Sequence, residues 1–387
     1  MKRKLRVGVI FGGRSGEHEV SIRSARSVIG AMDQRKYEVV PIAITKDGEW
    51  RLQPEPDGLL ESGDRALVDE TQVIPSAVAD FLNAVTTSLQ RIADPAGREM
   101  VTLDADQKLL PSQPLDVVFP VLHGTYGEDG TIQGLLEMKG VPYVGCGVLA
   151  SASGMDKVTM KSLFRDAGLP ICKYTWFLRS AWETDGAALV RRVAREIGYP
   201  CFVKPANLGS SVGVSKATDK ESLARAIELA AHYDRKMIVE EGLDAREIEC
   251  AVMGNDEPEA SLPGEYVVHN KAAEFLDYTE KYAGTGHVEF VVPAKINKPL
   301  TTRIQKMAAR AFQAVDGSGL ARVDFFLTRD THQLLINELN TMPGLTDASG
   351  FPKMWEASGL PMPRVIDRLI QLAIERHKEK ARNLTSI

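Results

Sequence analysis

The chain has 387 residues, which is too long for one hydrophobic core and suggests two or three domains of roughly 150 residues each. Hydrophobic residues make up 44% and charged residues 26%, so the composition argues against a fibrous, disordered or disulfide-stapled protein. Lys and Arg number 47 against 52 Asp and Glu, a formal net charge of −5 that lacks the basic excess typical of nucleic-acid binding.

The four cysteines are too few for a disulfide framework and too widely spaced for a Cys-x-x-Cys metal site, so we predict reduced, mostly buried thiols. No apolar stretch reaches the roughly 20 residues of a membrane span. The apolar run at residues 7–11 is ended by Gly12 and is too short for the apolar part of a signal peptide. We therefore expect a cytoplasmic protein with no membrane partner.

The N-terminal part of the sequence alternates strands and helices. Short apolar runs at 7–11, 39–44 and 116–122 predict strands, and apolar residues at helical spacing follow the first of them. The last of these strands brings His123 to its C-terminal end, where open α/β sheets bind ligands. This order predicts βαβ units and a parallel sheet. Residues 53–114 show little pattern and predict a mixed insertion.

Later segments predict further helices and a strand pair. Apolar residues recur at helical spacing at 189–197, 223–230, 304–315 and 365–374. The runs 321–327 and 334–339 predict two antiparallel strands.

The predicted strand pair carries the most informative charges. Side chains alternate between the faces of a strand, so Arg322 shares a face with Asp324, and Glu338 shares one with Asn340. If the two faces coincide, an arginine, two carboxylates and an amide oxygen converge, and such oxygens suit Mg²⁺. The alternative is an incidental salt bridge on polar outer faces.

A strand ending at Lys204 is followed by a loop with glycines and serines at 209–213. Glycines let backbone N–H groups approach phosphate oxygens, and the lysine adds a positive charge, although the spacing is not that of a P-loop. A hairpin without a ligand is the alternative. The loops 124–134 and 273–286 are either exposed connections or segments that close over a site.

The first glycine turn, at 12–21, carries Glu17. Its carboxylate could pair with a substrate ammonium group or could complement the dipole of the helix that follows. Phe11 occupies the position of the first glycine of a dinucleotide fingerprint, and no acidic residue closes the second strand, so NAD binding is disfavoured.

Seven motifs occur in the order found in one family: GGRSGEHEVS, LHGTYGEDGTIQG, MDK, VKPANLGSSVGVSK, EFLDYTEKY, ARVDFFL and NELNTMPGLT. Through them the chain resembles the D-alanine–D-alanine ligases, which are ATP-grasp carboxylate–amine ligases. The resemblance implies an α/β (α+β) ATP-grasp fold of three domains with a Rossmann-like N-terminal parallel sheet. The implied domains are an N-terminal domain at 1–154, a central one at 155–240 and a C-terminal one with the metal site at 241–387.

The resemblance also implies site residues. Ten residues are expected to contact the phosphates, the adenine or the ribose of ATP, or to lie beside them. They are Lys157, Lys204, Ser210, Ser211, Glu240, Leu243, Glu247, Phe275, Lys281 and Phe326. Two Mg²⁺ or Mn²⁺ ions would be held by Asp324, Glu338 and Asn340. The residues expected to bind the amino acids or assist the reaction are Glu17, His123, Ser210, Lys281, Tyr282, Arg322, Gly344 and Ser349.

The implied reaction joins two D-alanines through a D-alanyl phosphate, and the family expectation is a homodimer. Leu276 and Gly350 differ from the residues common at these positions in relatives. These differences could alter the packing of the loop at 273–286 or the pocket for the second substrate. Tyr282 matches dipeptide-forming relatives, so we expect little use of D-lactate. Other interpretations are an ATP-grasp ligase for different amino or hydroxy acids, a non-catalytic nucleotide-binding regulator and an NAD-linked oxidoreductase.

Overall fold

The chain divides into two units in a computed structural model. The first unit comprises residues 1–145, 344–352 and 360–387, and the second comprises residues 146–343 and 353–359. The residues that the structure describes are 3–52, 102–103, 109–110, 114–209, 212–268 and 288–384.

A mainly parallel sheet forms the centre of the first unit. Its N-terminal elements are β1 (Leu5–Gly12), α1 (His18–Ala31), β2 (Tyr37–Ile44), β3 (Trp50–Leu52), β4 (Thr102–Leu103), β5 (Leu109–Leu110), β6 (Val117–Val121) and α2 (Thr131–Met138). The sheet has the order β3-β2-β1-β6. Strand β1 pairs in parallel with β2 and β6, while β3 is antiparallel to β2. The predicted parallel sheet is therefore confirmed.

The second unit contains two antiparallel sheets. Its elements are α3 (Val148–Met155), α4 (Lys157–Asp166), β7 (Tyr174–Leu178), α5 (Arg179–Glu196), β8 (Cys201–Pro205), β9 (Ser215–Ala217), α6 (Lys220–Tyr233), β10 (Lys236–Glu241), β11 (Ala245–Gly254), β12 (Glu259–Ala260), β13 (Gly264–Val268), β14 (Val288–Val291), α7 (Lys298–Ala314), β15 (Gly319–Thr328) and β16 (Leu334–Asn340). The smaller sheet has the order β7-β10-β8-β9, and the larger has the order β14-β13-β11-β15-β16 with β12 beside β11.

Each antiparallel sheet has its own hydrophobic core. Helices α5 and α6 cover the smaller sheet, and α3, α4 and α7 contribute to the core of the larger one. Phe164 of α4 and Phe312 of α7 are fully buried in that larger core. Burying a side chain of this size stabilises the fold by roughly 1.5–3 kcal/mol. Val158, near the start of α4, packs instead against Ala206 and Ile238 of the smaller sheet. The first turn of α4 thus lies between the two sheets.

Two helices close the chain, α8 (Gly350–Ala357) and α9 (Met362–Lys380). The apolar stripe of α9 is buried, and this helix packs against α1 and β6 of the first unit. The Tyr37 hydroxyl donates to Asp367 Oδ1 over 2.8 Å, which fastens the start of β2 to α9.

The helices and strands predicted from the sequence outside 53–114 are confirmed in type and order. Most of that insertion and all of the loop at 273–286 lie outside the described residues. All four cysteines are free and buried, as predicted. None of the helices in the described ranges is both long and apolar enough to cross a membrane. The two boundaries between the three predicted domains, at 154 and at 240, stay predictions.

Candidate active site

The charged face of the larger sheet is built by direct pairing of β15 and β16. Arg322 lies opposite Asn340, and Asp324 lies opposite Glu338. Directly opposed residues of antiparallel strands project to the same face. The two faces therefore coincide, which was the condition for the convergence, and the roles of these residues stay predictions.

A shift in register produces this arrangement. Phe325 pairs with Ile336 and Asp324 with Glu338, so Asn337 is an extra residue on β16. Such a β-bulge reverses the facing of the residues beyond it. Ile336 consequently faces the core, while Glu338, two positions later, faces the site.

Arg322 is the centre of the charge arrangement on this face. Its Nε and Nη2 atoms donate to the two carboxylate oxygens of Asp324 over 2.7 and 2.6 Å. Its Nε also lies 3.3 Å from Glu249 Oε1, and the Glu249 side chain is 4% exposed. Bidentate pairing fixes the plane as well as the position of a guanidinium group. Arg322 is therefore held in a defined orientation between two carboxylates.

Glu249 was not predicted from the sequence. It lies opposite Asp324 on the other neighbouring strand, β11, and so shares the face of Arg322. Glu247 lies two residues earlier in the same alternation, opposite Phe326. That two-residue spacing was a usable signal, because Glu247 was already assigned to the site and its face therefore includes Glu249.

The donor set fits Mg²⁺ by its chemistry. Asp324 and Glu338 offer carboxylate oxygens, and the Asn340 side-chain oxygen accepts a hydrogen bond from the Met342 N–H at 2.9 Å, which fixes the orientation of the amide. Mg²⁺ commonly takes one or two carboxylates and completes its shell with water and substrate phosphates. Among the residues described there is no group of three or more His, Cys, Asp or Glu side chains arranged for a metal.

A cluster of lysines lies where α4 meets the two sheets. Lys204 Nζ is 2.7 Å from Glu240 Oε2, and Lys161 Nζ is 3.0 Å from Glu240 Oε1. Lys157 Nζ donates to the carbonyl oxygen of Leu208 over 2.6 Å, within the loop that follows β8.

Asp156 accepts from the N–H groups of Val158 and Thr159 at the start of α4. This cap fixes the first turn of the helix, and so the backbone of Lys157.

The pKa values in the cluster reflect burial opposed by charge. Burial alone would raise the pKa of Glu240, but the charges of Lys161 and Lys204 lower it to about 2. Burial lowers the pKa of Lys157, and the attraction of Glu338 offsets that only in part. Burial would also lower the pKa of Lys204, but Glu240 and Glu338 raise it overall. Glu338 on the larger sheet is therefore within electrostatic range of both lysines.

The residues predicted to contact adenine and ribose lie on β10, β11 and β15 and on the connection between β10 and β11. Glu240 is buried near the end of β10, and Leu243 is half-buried in the connection to β11. Glu247 and Phe326 are half-buried and lie opposite each other on β11 and β15. The second unit thus brings together the predicted lysines, carboxylates and apolar contacts.

The remaining described residues belong to the first unit. Glu17 directly precedes α1 and makes no side-chain capping hydrogen bond to that helix, so both interpretations of its charge, a substrate ammonium group or the helix dipole, stay predictions. Its Oε2 atom would lie only 2.8 Å from a Cβ at Gly124, which has φ +75°. Glycine at that position therefore permits the close approach of the carboxylate and the backbone.

His123 is 3% exposed, with Nε2 3.0 Å from Ser24 Oγ. The same hydroxyl accepts from the Leu345 N–H over 3.4 Å, next to Gly344. A Cβ at Gly344 would lie 2.8 Å from Ser349 Oγ, so these two residues are adjacent. Ser24 therefore links the His123 turn to the segment that carries Gly344 and Ser349.

Five of the predicted site residues lie outside the described residues, and no contact is assigned to them: Ser210, Ser211, Phe275, Lys281 and Tyr282.

Two family profiles together match most of the chain. The D-ala D-ala ligase N-terminus matches residues 6–146, and the D-ala D-ala ligase C-terminus matches residues 163–371. A D-alanine–D-alanine ligase of Bacillus cytotoxicus is 48% identical over 377 residues, covering 97% of this chain and 98% of the relative. One from Natranaerobius thermophilus is 44% identical over 383 residues, covering 99% and 98%.

Solved structures agree with these matches. The D-alanine-D-alanine ligase from Coxiella burnetii superposes with a TM-score of 0.76 at 36% identity, covering 98% of this chain and 96% of that one. The D-Ala:D-Ser ligase VanG from Enterococcus faecalis gives a TM-score of 0.78 at 34% identity, covering 96% and 100%. The fold class is therefore ATP-grasp, as the resemblance implied. The chain belongs to the D-alanine–D-alanine ligase family.

Proposed function

We propose that this protein joins two D-alanines to D-alanyl-D-alanine with ATP, through a D-alanyl phosphate, and so supplies a peptidoglycan precursor. The observation that carries the proposal is the convergence of Glu338 and the Arg322–Asp324 pair with Lys157 and Lys204. Lysines, together with oxygens that can bind Mg²⁺, are typical of a triphosphate site. The arginine beside them can bind a substrate carboxylate.

The first step makes the carboxylate reactive. An oxygen of the first D-alanine's carboxylate attacks the γ-phosphorus of ATP, the bond to ADP breaks, and an acyl phosphate forms. Lys157 and Lys204 offset negative charge on the phosphates, and Arg322 orients the carboxylate. Mg²⁺ ions held by Asp324, Glu338 and Asn340 would neutralise further phosphate charge when bound. Glu17 is the proposed acceptor for the ammonium group of this substrate, with Ser210 and Tyr282 as its partners.

The second step forms the peptide bond. The unprotonated amine of the second D-alanine attacks the acyl carbon and loses one N–H proton, and inorganic phosphate leaves with the carboxylate oxygen it received. The proton leaves with the phosphate or passes to solvent. Arg322 and the Gly344 N–H are proposed to stabilise the tetrahedral oxyanion. Ser349 is the proposed contact for the second carboxylate, and His123 is a further substrate contact. An acyl phosphate hydrolyses in water, so the segment around Tyr282 is proposed to exclude water.

We keep three domains, at 1–154, 155–240 and 241–387, as the proposed organisation. The separate hydrophobic cores of the two antiparallel sheets support a division between the second and third of these, with α4 as the exception, since it packs in the core of the larger sheet. We also propose that the protein is a homodimer and is located in the cytoplasm. Both proposals rest on the family resemblance and on ATP as substrate.

D-alanine is the proposed second substrate, although one structural neighbour is a D-Ala:D-Ser ligase. Sequence identity favours D-alanine, because relatives named D-alanine–D-alanine ligase reach 44–48% and that neighbour reaches 34%.

Phosphate release with ATP and Mg²⁺ tests the proposed substrate. We expect release with D-alanine and none above background with L-alanine, because a site that fixes the ammonium and the carboxylate and has room for the methyl group on one side only selects one configuration. In a panel of second substrates we expect D-serine and D-lactate to give much less product than D-alanine. Equal yields with D-lactate at neutral pH, or activity with L-alanine, contradict the proposal.

A further inference from the structure

Lys161 is a fully buried cation to which the reaction above gives no role. Its side chain is 1% exposed, and its ammonium group meets three acceptors. These are Glu240 Oε1 at 3.0 Å, the Asn337 carbonyl oxygen at 2.9 Å and Cys172 Sγ at 3.4 Å. A buried charge is tolerated when its partners replace water, and an ammonium has three hydrogens to donate. Lys161 therefore donates hydrogen bonds to Asn337 and Cys172 and forms a buried ion pair with Glu240.

The local fold explains why Lys161 reaches these partners. Lys161 lies one helical turn after Lys157 on α4, so both lysines emerge from the same face of that helix. The β-bulge at Asn337 leaves that residue outside the regular pairing of β16, and its carbonyl oxygen accepts from Lys161. Glu240 approaches from β10 of the smaller sheet. Lys161 thus connects α4 with both sheets.

Glu240 lies between two lysines that differ in exposure. Lys204 Nζ is 2.7 Å from one of its oxygens, and the Lys204 side chain is 12% exposed. Lys161 holds the other oxygen and is also anchored by Asn337 and Cys172. Burial would lower the pKa of Lys161, but Glu240 and Cys172 raise it overall. Of these two cations, Lys204 is the one placed to turn toward a ligand.

We infer that Lys161 is a positioning residue for nucleotide binding: it keeps the Glu240 carboxylate paired when Lys204 turns to the phosphates. The inference rests on the proposed function, in which Lys204 binds phosphate. Without Lys161, Lys204 is the nearest cation left to Glu240, and moving it to a phosphate leaves a buried carboxylate poorly compensated. Nucleotide affinity should then fall, because binding includes the cost of breaking that pair.

The test is calorimetric titration of the full chain with ADP and Mg²⁺. Lys161→Met should bind at least tenfold more weakly than the wild type, while Lys220→Met, an exposed lysine at the start of α6, should bind like the wild type. If Lys161 acts through Glu240, Lys161→Met should weaken ADP binding by a severalfold smaller factor when Glu240→Gln is already present than when it is introduced into the wild type. A merely structural role gives the same factor in both backgrounds.

The outcomes separate this inference from the proposed function. Wild-type affinity in Lys204→Met contradicts the proposed phosphate contact, and the inference with it. Weak binding by Lys204→Met with normal binding by Lys161→Met overturns the inference alone, as does an equal loss with and without Glu240. If Lys161→Met does not fold, Lys161→Gln enters the same cycle, because its amide can still donate to the Asn337 carbonyl.

Discussion

Arg322→Met is expected to lower kcat by between about a hundredfold and a thousandfold, the range seen when one oxyanion donor is removed. Arg322 is the cation fixed by Asp324 and Glu249 on the charged face, and it is proposed to act in both chemical steps. The measurement is kcat for phosphate release at saturating D-alanine and ATP.

The same change removes the guanidinium between two poorly exposed carboxylates, which typically costs about 3–5 kcal/mol of stability. Arg322→Lys keeps the charge but lacks the planar fork that binds both Asp324 oxygens, so it should fold and still lose most of its activity. Arg329→Met is the matched control, because Arg329 is 58% exposed and pairs with an exposed Asp244. Wild-type kcat in Arg322→Lys contradicts the assigned role.

Glu338→Gln is expected to lower kcat by about a hundredfold, or about 2.7 kcal/mol in the activation barrier, and to raise the Mg²⁺ concentration needed for half-maximal rate. The substitution keeps the side-chain shape but removes a negative charge that lies opposite Asp324 and attracts Lys157 and Lys204. The measurement is a Mg²⁺ titration of the initial rate at fixed ATP.

Glu259→Gln provides the control, since Glu259 is an exposed glutamate on β12 of the same sheet. Its Mg²⁺ dependence should match the wild type. An unchanged rate and Mg²⁺ dependence in Glu338→Gln would show that Glu338 does not hold the metal.

Strand alternation was sufficient to predict that Arg322 shares a face with Asp324 and that Glu338 shares one with Asn340, because side-chain period depends only on local backbone geometry. Whether the two faces coincide depends on the register between β15 and β16, which alternation does not give. The β-bulge was not predicted. Its signal is present in the sequence, since the core-facing residues of β16 have even numbers up to Ile336 and an odd number at Leu339. This break in the two-residue alternation indicates one extra residue between them.

Buried partners were harder to predict than strand faces. Glu249 and Lys161 follow Glu247 and Lys157 at strand and helix spacing, so each shares a face with a predicted site residue. What the spacing does not contain is the long-range pairing, such as the place of β10 between β7 and β8. That order depends on contacts between segments distant in the chain, and it decides that Glu240 meets Lys161 and Lys204.

Ligation through an acyl phosphate determines the fate of the carboxylate oxygen that attacks ATP. D-alanine labelled with ¹⁸O at both carboxylate oxygens should be incubated with ATP, Mg²⁺ and the protein, and the phosphate and dipeptide analysed by mass spectrometry. We expect one ¹⁸O atom in each phosphate released and one in the peptide carbonyl, because the attacking carboxylate oxygen leaves with phosphate. Phosphate without ¹⁸O alongside dipeptide formation, or no dipeptide at all, contradicts the account.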